Sequence, residues 1–277
     1  IISSSHAIGK GIVPPSDAVH VCYCHTPMRY AWEMEDQYLE DFRIPGFLRR
    51  RIKRKLKDIR RWDLTTAKRV DLFIANSTTV QERIKRIYNR DSVVIHPPVD
   101  DRFFRSAFSF QLSASEYYLA VGRMVPYKRF DLLIETANAL KLPLKVAGKG
   151  AEMQRLQKMA GPTVEFLGFV PDADLPGLYA GAKALLTIIP FTPQAATERR
   201  SRSVKETAPP LPAHHHVRFD GTTGVFFTEQ TVDSVSDAIR RFEAMTFDRG
   251  AIRDHARQFS AERFRDAVKK AVESVWH

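Results

Sequence analysis

The chain has 277 residues, 44% of them hydrophobic, with 43 Lys and Arg against 32 Asp and Glu for a formal net charge of +11. That length and apolar content exclude a disordered chain and supply a core for two modest domains or one large one. The charge implies a negatively charged partner, whether nucleotide, nucleic acid or anionic membrane surface, and the absence of any run of 18 uncharged apolar residues excludes a transmembrane helix.

The opening "IISSSHAIGK" is an apolar run followed by polar residues, neither a signal peptide nor a span, which reads as cytosolic. A start at Ile in mid-strand, with no Met, reads as a fragment. "AVHVCYC" is the next strand, and the two cysteines, Cys22 and Cys24, lie two apart and so share one sheet face. His20 and His25 beside them invite a metal reading. The lack of a second ligand pair at a recognised spacing favours small buried thiols instead. "FLRRRIKRKLKDIRRWD", residues 47–63, carries nine Lys or Arg against two Asp, with Phe47, Leu48, Ile52, Leu56 and Ile59 at helical spacings. Such a helix either lies on anionic lipid or packs its stripe on the domain and solvates its charges. "DLFIAN" and "SVVIHP" are further strands around the helical "TTVQERIKRIYN".

Two prolines and a polar stretch then place a boundary near residues 97–116. The expected organisation is a partial N-terminal Rossmann-like domain over residues 1–100, a linker over 101–116, a second Rossmann-like domain over 117–260 and a C-terminal helix over 261–277. Residues 117–190 alternate "YYLAVG", "PLKVAG", "VEFLG" and "KALLTII" as strands with helical "KRFDLLIETANAL", "AEMQRLQKMA" and "DADLPGLYAGA", the mark of a parallel sheet with crossover helices. Asp172 is expected to cap the last of these helices. After an irregular stretch, "GVFF" and helical patterns over 231–245, 249–258 and 260–276 close the chain; there is no internal repeat. Two such α/β domains, with a cleft at the carboxyl ends of their strands, suit a nucleotide.

The chemistry concentrates in "AVGRMVPYKRFDLLIE". Gly122 closes a strand, and Arg123 and Lys128 flank the turn into a helix, where free amides and the macrodipole add to two cations in a way that suits a diphosphate. Two solvated loop cations are the plainer reading of the same spacing. In "AGKGAEMQRL", Gly148 and Gly150 sit between strand and helix and let backbone approach a ligand.

Taken together, "VGRMVPYKRFDLLIE", "VAGKGAEMQRL", "VEFLGFVPDADLPGLYAGAKALL" and "DGTTGVFF" resemble successive motifs of the retaining glycosyltransferases of family 4, of GT-B fold. Upstream, "SSSHAIGKGI", "VCYCHTPMRYAW" and "DLFIANSTTVQERIKRIY" resemble the acceptor domain of the bacterial mannosyltransferase-like branch. The resemblance implies an α/β protein with two Rossmann-like domains facing across a cleft, the N-terminal one truncated. It implies transfer of a sugar, with GDP-mannose as donor, retained anomeric configuration and no cofactor or metal. The acceptor would be a lipid-linked or other saccharide in surface polysaccharide or lipopolysaccharide assembly, and the enzyme cytoplasmic, on the inner face of the plasma membrane. By the same resemblance Arg123 and Lys128 bind the leaving diphosphate, Gly122, Gly148 and Gly150 border the nucleotide, and His25 of "HTPM" is the catalytic-side contact to the donor sugar.

The resemblance fails over residues 191–218. Members carry two glutamates around a glycine-bearing turn there; this stretch has no glycine and four prolines, Pro193, Pro209, Pro210 and Pro212. Glu198 and Glu206 match the spacing without its context. A changed composition at preserved length is what two compensating frame shifts leave, the alternative being a genuine divergent loop; His214, His215 and His216 would then invite a metal reading, but adjacent histidines alternate faces and lack the i,i+4 geometry of a ligand set. An inactive remnant that still binds nucleotide is therefore the second expectation. A basic nucleic-acid-binding protein is the third, against which stands the lack of any recognised nucleic-acid module.

Overall fold

The computed structural model describes residues 1–42, 44–106, 117–188 and 222–276. These fall into two compact units: one takes in Ile1–Val99 and the end of the chain from Ala256, the other the described residues between Asp100 and His255.

The first unit is built on a parallel sheet of order β1-β2-β3-β4, with β1 Ile2–Ser5, β2 Val21–Cys24, β3 Leu72–Ala75 and β4 Ser92–Val94. The two-residue period of a strand sorts its side chains onto two faces. Cys22, Cys24, Phe73 and Ala75 pack under Val80, Ile84 and Tyr88 of helix α4, Thr78–Tyr88. Val21, Tyr23, Ile74 and Ile95 face the other way. Both thiols are thus core, free and buried, and desolvation pushes each above the usual thiol range. Nearby His20 is turned to Ser3, 2.8 Å away. Among the described residues no three His, Cys, Asp or Glu are grouped to hold a metal ion.

Three helices precede α4: α1 Arg29–Trp32, α2 Glu35–Asp41 and α3 Gly46–Ala67. Ile52, Leu56 and Ile59 of α3 pack with Met28 and Ala31, so this part of the apolar stripe is spent inside the domain. α4 starts at Ser77, whose side chain accepts from the Val80 amide at 3.3 Å, and stops at Asn89 in the left-handed region, φ 51°.

The second unit holds a parallel sheet of β5 Tyr117–Val121, β6 Leu144–Ala147, β7 Val164–Gly168 and β8 Ala182–Leu185. Its helices are α5 Asp101–Ser106, α6 Phe130–Leu140, α7 Met153–Met159, α8 Leu175–Ala180 and α9 Val232–Glu243. The stretch expected as linker therefore opens with a helix, whose Phe103 meets Tyr179 of α8 edge-on at 5.6 Å. One core gathers Tyr118, Ala120, Leu144 and Val146 with Leu133 and Ile134 of α6 and Val235 and Ile239 of α9. The cap expected at Asp172 is corrected: α8 begins at Leu175 with Asp174 in the cap position and no side-chain cap bond, and Asp172 lies 3.8 Å from Arg102 instead. Pro176 explains the later start, because the first turn is where proline's missing donor costs least.

Helices α10 Arg249–Arg257 and α11 Ala261–Glu273 end the chain. α11 belongs to the first unit: Phe264, Val268 and Val272 cover the sheet face of Val21 and Tyr23, with Phe264 edge-on to Tyr23 at 5.6 Å. The Val99 amide donates to the Phe259 carbonyl at 2.7 Å where this return begins.

Candidate functional site

The strand order of the second sheet, β7-β6-β5-β8, determines where a ligand can enter. From β5 the chain steps outward through β6 to β7, then returns to the other side of β5 as β8. The strand order therefore reverses at β5, and at such a switch point the carboxyl ends of parallel strands open a crevice. The loop that leaves β5 at this place is Gly122–Lys128.

Its geometry follows from three residues. Gly122, at φ 148°, takes a conformation that side chains resist and turns the chain off the strand. Met124 is fully buried and anchors the loop in the core, leaving Arg123 beside it exposed. A 3-10 turn, Pro126–Lys128, then leads to Arg129, which at φ 49° stands in the cap position of α6. Arg129 is engaged: its guanidinium reaches both carboxylate oxygens of Asp131 at 3.1 and 3.2 Å and Gln230 at 3.2 Å.

The other two cations are differently placed. Lys128 is half-buried and folds back over the end of β5, so that a Cβ built on Gly122 would lie 2.7 Å from its Nζ. Among the described residues neither Arg123 nor Lys128 has an ion pair or a side-chain hydrogen bond. Burial, and secondarily the charge of Arg123, hold the Lys128 ammonium below the usual lysine range. Two neighbouring positive charges without a counter-ion among the described residues, one of them partly desolvated, suit an anion.

The second glycine pair supports this loop from beneath. The Met124 amide donates to the Lys149 carbonyl at 3.0 Å, the Glu152 amide to the Met124 carbonyl at 3.3 Å, and the Gly148 amide to the Gly168 carbonyl at 2.6 Å. A Cβ on Gly148, at φ 133°, would run into the Gly122 carbonyl, and one on Gly150 into that of Met124. The close backbone approach that sequence reasoning reserved for a ligand is here an approach of one loop to another. Five of the six expected site residues, Gly122, Arg123, Lys128, Gly148 and Gly150, are thus brought together.

His25 belongs to the first unit, just past the end of β2. Its amide donates to the Ser5 carbonyl at 2.8 Å, its Nε2 lies 2.9 Å from Ser4 Oγ, and its ring meets Tyr23 edge-on at 5.3 Å. Register pairs Cys24 with Ala75, so Thr26 and Asn76 leave adjacent strand ends, and Thr26 Oγ1 and Asn76 Nδ2 are buried without a hydrogen-bond partner among the described residues. Sequence reasoning passed over both; polar residues directly after a strand in "CHTP" and "IANS" were the available signal. Glu198, Glu206 and the three histidines, with all of residues 191–218, lie outside the described residues.

The family model described as Glycosyltransferase Family 4 matches residues 3–103, and that described as Glycosyl transferases group 1 matches residues 115–244. No curated protein matches the chain. Among solved structures, sucrose-phosphate synthase from Thermosynechococcus elongatus aligns with a TM-score of 0.64 at 16% identity, over 93% of this chain and 68% of that one. The apo lipopolysaccharide outer core galactosyltransferase WaaB aligns at 0.59 and 15%, over 92% and 68%. A point mutant of S. aureus TarM, in complex with fondaparinux, alpha-GlcNAc-glycerol and UDP, aligns at 0.53 and 13%, over 77% of this chain and 46% of its own. At such identities the likeness is one of fold, and that fold is GT-B.

Proposed function

Given that the chain belongs to the family 4/group 1 glycosyltransferases, we propose that it is built to transfer a sugar with retention of anomeric configuration, from GDP-mannose to a lipid-linked or saccharide acceptor in surface polysaccharide assembly. The observation that carries this reading is the pair of cations, Arg123 and Lys128, without partners among the described residues, at the switch point of the second sheet. As the bond from the anomeric carbon to the phosphate oxygen breaks, negative charge collects on the departing nucleoside diphosphate. Preorganised cations stabilise that charge without waiting for solvent to reorganise, which is the largest contribution in many enzymes. Arg123 offers a planar fork to phosphate oxygens and Lys128 a point charge. In this reading the two amount to an electrophilic clamp that needs no metal, and His25 contacts the donor sugar.

Mannose and guanine rest on the resemblance to the mannosyltransferase-like branch. The names of the similar structures carry galactose and UDP, so the competing donors are chosen from those. The test incubates the chain with GDP-mannose and UDP-galactose in the presence of a lipid-linked saccharide acceptor, and follows nucleotide release and the anomeric configuration of the product. Release of GDP with a retained α-linked product supports the proposal. Release of UDP alone overturns the donor, and inverted product overturns the mechanism. Tight nucleotide binding without transfer favours the remnant reading, which the composition of residues 191–218 suggests. The reading places the enzyme in the cytoplasm, at the inner face of the membrane that would hold such an acceptor.

A further inference from the structure

With Ile52, Leu56 and Ile59 turned inward, α3 presents a different face outward. At 100° per residue, the side opposite Leu56 carries Phe47, Arg50, Arg51, Arg54, Lys57 and Arg61, all exposed. Asp58 is the only acidic residue on that side, and it is shared by Lys55 at 3.9 Å and Arg61 at 3.6 Å. Arg50, Arg51, Arg54 and Lys57 have no ion pair among the described residues. The cations that pair outside α3, Lys53 with Asp36 and Arg60 with Glu35, lie on the flank toward α2. At the N-terminal end of α3 two aromatic side chains stand in solvent: Phe47 at 80% exposure and Phe42, just before the helix, at 69%. A helix of this length runs about 33 Å, and a row of cations along it with bulky apolar groups at one end suits a surface that is anionic outside and hydrocarbon beneath.

We propose that the outward face of α3 docks on an anionic lipid bilayer, with Arg50, Arg51 and Arg54 at the headgroups and Phe42 and Phe47 inserted below them. Charge complementarity selects an anionic surface, and the exposed aromatic pair selects lipid over an acidic protein or nucleic acid, which the cations alone would satisfy. Of the stripe that sequence periodicity singled out, Phe47 alone takes part in the insertion, since Ile52, Leu56 and Ile59 are packed within the domain. The inference goes beyond the transferase reading and does not depend on it, because vesicle binding and nucleotide binding are measured separately.

The test is co-sedimentation of the chain with phosphatidylcholine vesicles and with vesicles that also contain phosphatidylglycerol, at low and at physiological salt. Each cation near an anionic surface contributes about fivefold in partition. Sedimentation with the anionic vesicles only, weakened by salt and lowered roughly a hundredfold by the triple change Arg50→Gln, Arg51→Gln and Arg54→Gln, supports the proposal. Phe42→Ser with Phe47→Ser should lower binding further than salt alone, and Lys158→Glu, on exposed helix α7 of the second unit, should leave it unchanged. All these side chains are exposed, so the variants should keep the parent's thermal midpoint. Equal binding to neutral vesicles, an unchanged triple variant or an unchanged double Phe variant each overturns the proposal. Salt-sensitive binding to duplex DNA with none to vesicles overturns it in favour of a nucleic-acid partner.

Discussion

At 2% exposure the ammonium of Lys10 lies inside the first unit, paired with the fully buried carboxylate of Asp63 and 3.1 Å from Thr66 Oγ1. Asp63 also accepts from Trp32 Nε1 at 2.8 Å and from the Tyr88 hydroxyl at 2.9 Å. One carboxylate thus ties α1, α3 and α4 to the Gly9–Gly11 turn. A buried pair adds little over an apolar replacement, but removing one partner strands the other charge. Lys10→Ala should cost about 3–5 kcal/mol of unfolding free energy, read from the urea midpoint; a loss below about 1 kcal/mol, the range of a surface pair, would contradict the network. Lys128 has the opposite character, a cation depressed by burial and by Arg123. Between its lowered folded value and the usual lysine range, the unfolded chain holds a proton that the folded chain has released, so stability rises with pH across that window. A bound diphosphate favours the ammonium. Its binding should therefore take up a proton in the same window and weaken as pH rises through it, measured calorimetrically in buffers of different ionisation heat. Proton release would contradict the placement of Lys128 at the anion.

Among the elements, the two loops after β5 and β6 behave as one part because glycine permits their backbones to touch. Both positions have a φ that resists a side chain, 133° and 148°, but Gly148→Ala drives its Cβ into the Gly122 carbonyl, whereas Gly122→Ala meets the movable end of Lys128. Gly148→Ala is expected to cost about 2–4 kcal/mol of stability, and Gly122→Ala less stability but more nucleotide affinity. Thermal melts beside binding isotherms would separate the two; the reverse order would contradict the packing. This division also shows what the sequence could convey. Strand, turn and helix around Arg123 and Lys128 were legible because their signals fall within a few residues of one another. What Gly148 touches was not, since its neighbour is Gly122, a strand and a helix earlier. Lys10 and Asp63 likewise stand 53 positions apart, joined by no local pattern. In α3 the amphipathic period was readable, while the direction of its apolar side required the partners Met28 and Ala31. The helix start lies at Asp174 and not Asp172 because Pro176 suits the first turn, and a local pattern does not place a helix end to within two residues.

Over the whole molecule, the chain that opens the first unit also closes it. α11 lays Phe264, Val268 and Val272 on one face of a sheet whose other face is held by α4. The parallel strands were readable from alternation alone; the destination of the last helix was not, because an amphipathic period says which side is buried and not against what. Among the described residues no helix is long and apolar enough to cross a membrane. The gap between the two family matches, after residue 103 and before 115, lies beside the first boundary between the units, at Val99 and Asp100. The central claim is that Arg123 and Lys128 form a diphosphate clamp, and it is tested most directly by titrating GDP and UDP into the chain and into Arg123→Ala and Lys128→Ala. The account predicts binding by the parent and a loss of about ten- to a hundredfold in each variant, as for charge-assisted hydrogen bonds. Undiminished binding by both variants would contradict it, as would a parent that binds neither nucleotide.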